Sequence, residues 1–341
     1  MHRILTLSLL TLFAIGLHAQ DGARETIDVV TTEKDNIREA IGTRDSAHWT
    51  YGGFGSLQFG QVALVNWSQG GESSISATAV GNAFLDYRKG HHFWNTTFDG
   101  QWGIQKIKGQ SARKNADFLE LNSKYGYRVQ KHLYASTLLN FRSQFSRTWA
   151  FDDATGDRIE PYVSRFLSPA TLQIGLGVDY VPTDWFSVYV SPATGKFTFV
   201  ADPAVDETLY GLDPGDAVRA EFGAYLRAQF NKEIMTNVSV RSMLELFNNY
   251  TDPNKENRVN IDVNWQTGID FKINEWLVTS LFLHLIYDHD QAVPKVDDDG
   301  HPVFLRDPDT GQVYDVQQNT VLTQFRQTFS LGLTYKFGNG E

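Results

Sequence analysis

The stretch Val218-Arg219-Ala220-Glu221-Phe222-Gly223-Ala224-Tyr225-Leu226-Arg227-Ala228-Gln229-Phe230-Asn231 separates into two faces when alternate residues are taken. Val218, Ala220, Phe222, Ala224, Leu226, Ala228 and Phe230 fall on one side, and Arg219, Glu221, Gly223, Tyr225, Arg227, Gln229 and Asn231 on the other. A helix needs apolar residues three and four apart, so this period of two specifies an extended strand. Residues 259–274 repeat it, with Val259, Ile261, Val263, Trp265, Ile269, Phe271 and Ile273 opposite Asn260, Asp262, Asn264, Gln266, Asp270, Lys272 and Asn274. Leu172 to Tyr180 and Phe325 to Phe337 alternate in the same way. Noisier alternation occupies about 48–65, 73–88, 92–108, 114–129, 131–147, 185–200, 235–248 and 276–288, which brings the expected total to about twelve strands. Most exceed the five or six residues usual in soluble sheets and suit the roughly 9–11 residues of a tilted membrane-spanning strand.

Composition narrows the setting. Of 341 residues, 30 are Lys or Arg and 40 are Asp or Glu; the net charge of -10 argues against nucleic acid as a partner. Cysteine is absent, which removes disulfides, thiolate metal sites and a cysteine nucleophile. Apolar residues make up 41% and aromatic residues 13% of the chain, enough for a folded structure. A mean hydropathy of -0.33 does not argue against a membrane barrel, because such a barrel needs only every second residue apolar. No internal stretch reaches the roughly 20 consecutive apolar residues of a transmembrane helix.

The amino terminus reads as an export signal. Arg3 precedes an apolar run from Ile4 to Leu17, and the small residue Ala19 offers a cleavage point. Residues 1–19 are therefore expected to be removed. Residues 20–46, charged and without alternation, are read as a periplasmic arm or a segment entering the lumen. Residues 47–341 are expected to form one domain, an all-β, single closed antiparallel transmembrane barrel in the outer membrane.

Alternation alone leaves open which face points outward, and three features choose the apolar one. Connections after the even-numbered strands are short, near Lys89-Gly90, Gln130, Pro182-Thr183-Asp184, Lys232-Glu233 and Asn274-Glu275. The longest follow the fifth, seventh and eleventh strands, at about 148–169, 192–216 and 289–320. Outer-membrane barrels show this asymmetry, with short periplasmic turns and long external loops, and an even strand count would put both termini in the periplasm. Tyr180, Trp185, Trp276, Tyr287, Tyr335 and Phe337 lie where strands meet turns, as an interfacial girdle requires. The final strand carries Phe329, Leu331, Leu333, Tyr335 and Phe337 at alternate positions, which resembles the terminal signal read by outer-membrane assembly machinery.

Several short motifs carry a resemblance. Asn66-Trp67-Ser68-Gln69-Gly70-Gly71, Arg113-Lys114 with Asp117, Ser123-Lys124-Tyr125-Gly126-Tyr127, Phe141-Arg142-Ser143-Gln144-Phe145, Ser168-Pro169-Ala170, Gly175-Leu176-Gly177-Val178-Asp179-Tyr180 and Tyr287-Asp288 occur in that order. In them the chain resembles an uncharacterised family of outer-membrane barrels from Bacteroidota. The resemblance implies location and architecture, and it carries over no catalytic residue.

The polar faces hold Glu120, Lys124, Arg142, Asp179, Arg219, Glu221, Arg227, Arg241, Glu245, Asp262, Asp270, Lys272, Arg326 and Lys336, 8 basic and 6 acidic. Inside a barrel they form either a charged constriction that filters solutes or a salt-bridged core that fills the lumen. A twelve-stranded barrel lies between filled and open sizes, so both readings stand. Acidic turns at Asp297-Asp298-Asp299-Gly300, Asp307-Pro308-Asp309-Thr310-Gly311 and Asp152-Asp153 lack a complete calcium-binding spacing and read as solvated. His91 and His92 are taken as turn residues. His284, with Asp288 and His289, is the one histidine group that can be placed beside carboxylates at a rim, and no Gly-x-Ser-x-Gly context accompanies it. Gly175 and Gly177 sit inside a strand and so are no nucleotide fingerprint. The expected function is a narrow pore or transport protein for small polar solutes. A structural or accessory scaffold subunit is the alternative, and an outer-membrane hydrolase ranks behind both. No metal, cofactor or catalytic residue is assigned; the expected partners are outer-membrane lipid, the assembly machinery, and outer-membrane or periplasmic proteins.

Overall fold

The computed structural model describes residues 48–62, 73–151, 157–274, 277–289, 293–294, 304–306, 313–317, 319–320 and 323–338. The expected signal and arm, residues 1–46, lie outside them.

Twelve long strands make one closed antiparallel sheet: β1 (Trp49–Val62), β2 (Ser74–Lys89), β3 (His92–Ile107), β4 (Arg113–Gln130), β5 (Leu133–Ser143), β6 (Ala170–Thr183), β7 (Phe186–Phe199), β8 (Val218–Met235), β9 (Val238–Asn249), β10 (Asp262–Lys272), β11 (Leu277–Tyr287) and β12 (Gln324–Gly338). Each pairs with its neighbours in sequence, and β12 closes against β1. The expected strand number, closure and antiparallel order are all present. Where β1 and β12 pair, over 52–57 with 333–338, closure satisfies the backbone groups that a sheet edge would leave bare.

The alternation of connections is also present. One end of the barrel carries the short turns at 90–91, 131–132, 184–185 and 236–237, where Gly90 and Asn237 adopt the positive φ values of 60° and 63° that two-residue hairpins require. The other end carries the long connections 144–169, 200–217 and 288–323. The second of these starts later than its expected position near 192, because β7 continues through Pro192 to Phe199. Proline has no N–H to give a ladder, and the strand accommodates it as a bulge. Leu176 pairs with Ala193 but Val178 with Val190, and the register on β8 slips between Gly223 and Tyr225. Gly177 lies where this bulge presses closest: a Cβ there would meet Val190 O at 2.1 Å. Position 177 accordingly takes glycine for packing.

Two further boundaries differ from expectation. β10 begins at Asp262, and Val259 sits in a 3-10 turn, Asn257–Val259, 80% exposed. His91 is in the β2–β3 turn as expected, whereas His92 is the first residue of β3.

Side chains obey the two-face rule. Phe222, Ile261, Trp265, Leu331 and Leu333 are exposed on the outer wall, and Leu226 lies on the same face of β8. Most buried residues of the twelve strands point into the barrel. Phe54, Val80 and Phe84 cluster on the inner face of β1 and β2, and Leu138, Tyr189, Tyr225 and Phe247 on that of β5, β7, β8 and β9.

Candidate functional site

At mid-height the lumen holds four charged side chains in mutual contact. Arg142 on β5 donates from Nε to Glu120 Oε1 on β4 at 2.8 Å and from Nη2 to Glu245 Oε2 on β9 at 3.2 Å. Strands β6, β7 and β8 separate β5 from β9 along the sheet, so the second contact crosses the interior instead of following the wall. Arg227 on β8 lies 3.7 Å from Glu245 Oε1 and donates to Asn122 Oδ1 on β4 at 3.4 Å, a second crossing. The Tyr225 hydroxyl and Asn264 Nδ2 also donate to Glu245, Asn140 donates to Glu120 and Asn122, and His284 Nε2 meets Asn264 Oδ1 at 2.8 Å. Each buried charge thus has an opposite charge and hydrogen bonds, as burial demands. Tyr189 and Tyr225, ring centroids 6.3 Å apart, pack with Leu138 and Phe247 beside the pairs.

Smaller groups line the rest of the interior. Lys124 pairs with Asp179 at 2.5 Å across β5. Arg241 Nη2 donates to Asp270 at 3.0 Å, and Ser280 donates to the same carboxylate. Toward the loop end Glu221 accepts from Arg219 at 3.0 Å and Asn249 at 3.1 Å, and Lys196 stands 3.4 Å from Glu221 and 3.8 Å from Asp262.

Of the fourteen charges expected inside, eleven thus have opposite-sign partners. Lys272, at the turn end of β10, is exposed, because the strand finishes there and its side chain reaches past the paired groups. Arg326 faces inward, with its guanidinium 5.5 Å from the Phe282 ring. The side chain of Lys336 lies outside the described residues. Inward charges that the sequence reading missed are Asp86, which accepts from Asn95 at 2.7 Å, Asp99, bonded to Asn82, and Lys196. All three sit on strands read as noisy. His284 is buried among lumen groups, with Asn264 and Phe282 as contacts. Of the acidic turns, residues 152–153, 297–300 and 307–311 lie outside the described residues.

Three of the resemblance motifs, Arg113-Lys114 with Asp117, Phe141–Phe145 and Ser168-Pro169-Ala170, meet at one corner of the loop end, whereas Asn66–Gly71 lies outside the described residues. A bulge at Asn115 in β4 turns Lys114 to the outer face beside Asp117. Asp117 there accepts from Lys114, from the backbone N–H of Phe145 and Ser146 at 2.7 and 2.9 Å, and from Ser146 Oγ. Leu167 N donates to Ser143 Oγ at 3.0 Å. The carboxylate therefore fixes the path of the chain as it leaves β5.

That path leads into an ordered platform. Strands Thr148–Phe151 and Arg158–Ser164 pair with each other, and a 3-10 turn, Glu207–Tyr210, is capped by the Asp206 side chain and closed by Gly211 at φ 75°. Val200, Val205 and Leu212 pack there with Tyr162 and Tyr210. Asp202 ties the two connections together: it accepts from Ala204 N at 2.9 Å, Tyr162 OH at 2.7 Å and Arg165 Nη1 at 2.5 Å. The Ala204 amide first, then the Tyr162 hydroxyl and Arg165, hold the Asp202 carboxyl down at about 2. A depressed carboxyl stabilises the folded form above its unfolded value and loses that contribution as pH falls toward the folded value. Pepsin cleavage within 144–169 and 200–217, divided at each pH by the rate on an unstructured peptide to cancel the protease's own titration, is therefore expected to stay slow at about pH 4 and to accelerate below about pH 3, while Asp202→Asn removes this residual pH dependence. An unchanged cleavage profile in that variant would assign the docking to other contacts.

An apolar girdle surrounds the turn end. Trp49 packs on Tyr87 at 4.8 Å and Trp94 at 6.4 Å, and Tyr125, Tyr127, Tyr180 and Trp185 are exposed on the outer wall. Of the six residues expected in a girdle, Tyr180 and Trp185 lie here and Tyr287 lies at the loop end, while Trp276 and the side chains of Tyr335 and Phe337 lie outside the described residues; Trp49, Trp94 and Tyr127 were not expected.

Residues 59–149, less than a third of the chain, match a family described as a protein of unknown function (DUF3078). No curated protein matches. Among solved structures the barrel is similar to the translocator domain of autotransporter NalP from Neisseria meningitidis, at 7% identity and TM-score 0.36 over 92% of this chain and 98% of that one. It is also similar to the Pseudomonas putida toluene transporter TodX, at 9% identity and TM-score 0.35 over 87% and 90%. An outer membrane channel from Pseudomonas putida F1 aligns at 9% identity and TM-score 0.33 over 87% and 100%.

Proposed function

We propose that the chain is an outer-membrane barrel whose lumen is closed by its own side chains, so that it serves as a membrane-anchored platform for the folded external segments 144–151, 157–169 and 200–217. The carrying observation is the Arg142–Glu245 contact between strands that are not neighbours. An open pore would hydrate these groups, whereas Glu120, Glu245, Asp99, Gln101 and Asp270 are all buried. Support for the membrane setting comes from the outer wall. Phe59, Phe329, Leu331 and Trp265 stand 73%, 71%, 57% and 49% exposed on the outward face of the strands, where lipid would cover them. The reading includes export through residues 1–19, turns facing the periplasm, and the Bacteroidota source that the motif resemblance implies.

A narrow pore for small polar solutes would require the cross-lumen pairs to part, which conductance reads directly. Folded protein in planar bilayers is expected to show no steady current, and a stable open level from the unmodified chain would overturn the closed-lumen reading. Stoichiometric co-purification of another envelope protein, lost when 144–169 is shortened, would support the platform.

A further inference from the structure

The barrel closes unevenly. Residues 52–57 of β1 pair with 333–338 of β12, and among the described residues no pairing continues beyond Leu57 with Leu333, although β1 runs on to Val62 and β12 extends back to Gln324. On their other sides both strands stay fully engaged: β1 pairs with β2 as far as Val62, and β12 with β11 from Gln324. The loop-end half of this seam is thus a break in the wall, flanked by facing backbone edges. Leu57, Phe59, Phe329 and Leu331 border it on the outside, all exposed.

Arg326 faces inward on β12 toward the loop end, two residues beyond the position that the register of the paired half sets against Val62. Its neighbours on β11 are His284, directly opposite, and Phe282, whose ring lies under the guanidinium. Nε, Nη1 and Nη2 are all shut off from solvent, and none has a hydrogen-bond partner among the described residues. A buried guanidinium with five donors and no acceptor is costly, and its planar fork matches a carboxylate or phosphate.

We propose that the β1–β12 seam binds a single-chain anionic amphiphile, its acidic head on Arg326 inside the barrel and its apolar tail passing between Phe59 and Leu331 to the lipid. Neither half of the site accounts for the other: the seam alone would suit any apolar chain, and the arginine alone any small anion. Only a molecule with both ends satisfies the guanidinium and fills the break. The site is independent of the mid-height ion pairs, so it stands whether or not the lumen conducts.

The chain has no cysteine, which allows a reversible test. Native mass spectrometry of detergent-released protein would be run with dodecanoate and dodecyl phosphate, and with dodecanol, acetate and inorganic phosphate. The two amphiphiles are expected to give one-to-one complexes, and the tail-only and head-only probes none. A preference between the two amphiphiles identifies the head group. Arg326→Gln should weaken binding about tenfold or more, the loss expected for a charge-assisted contact. Bridging Phe59→Cys to Leu331→Cys with a short bis-thiosulfonate, which joins the two thiols through disulfides, should abolish binding, and cleavage of those disulfides by a reductant should restore it, which shows that the stapled barrel is folded. Wild-type affinity in Arg326→Gln, equal binding of dodecanol, equal binding of acetate or phosphate, or binding indifferent to the staple would each overturn the proposal.

Discussion

Glu245→Leu is expected to destabilise the barrel by about 3–5 kcal/mol, the range for removing one partner of a buried ion pair. Glu245 is the shared acceptor of the interior. Arg142 would keep Glu120, at 2.8 Å, but Arg227 would lose its 3.7 Å carboxylate and the Tyr225 hydroxyl its acceptor. Arg227, Tyr225, Asn264 Nδ2 and Arg142 Nη2 would then face a leucine. Glu245→Gln keeps an acceptor for Tyr225 while removing the charge, and should lie between Glu245→Leu and the parent. Guanidinium unfolding in detergent micelles, followed by loss of heat-modifiable migration, measures the order. A midpoint for Glu245→Leu equal to that of the parent would mean that the interior is wet and the charges are solvated.

The second large effect belongs to the opposite face of one strand. Leu226→Arg should cost about 2–4 kcal/mol if β8 spans a bilayer with Leu226 near its midplane. Leu226 pairs with Val190 and Leu246, both on the outer wall, and leaves a new charge no partner there. Reconstitution yield in lipid vesicles reads this loss, and the same substitution should be far milder in a soluble setting, where the charge would meet water.

The sequence carried the fold because a membrane wall and a polar interior enforce period two, and β8, β10 and β12 obey it almost without exception. It was noisy in β1 and β2 for an identifiable reason: the lumen is filled, so Phe54, Val80 and Phe84 point inward and blur the contrast between faces. The same blur hid Asp86 and Asp99. Lys196 was hidden by the Pro192 bulge, which shifts the phase of β7 partway along. For the site, residue type and facing were legible and pairing was not. Which charges meet across a lumen depends on barrel shear and on bulges, and no spacing in one strand encodes that Arg142 finds Glu245. Two of the resemblance motifs show a similar limit: the approach of Lys114 and Phe145 to Asp117 depends on a single extra residue in β4.

The account stands most directly on which face of β8 meets lipid. Single cysteines at positions 226 and 227 in the otherwise cysteine-free chain, carrying an environment-sensitive fluorophore and reconstituted with brominated lipids, give that answer. The account predicts strong quenching at 226, none at 227, and poor labelling of 227 by water-soluble reagents because the interior is closed. Quenching at 227 with free aqueous access at 226 would show that inside and outside are reversed.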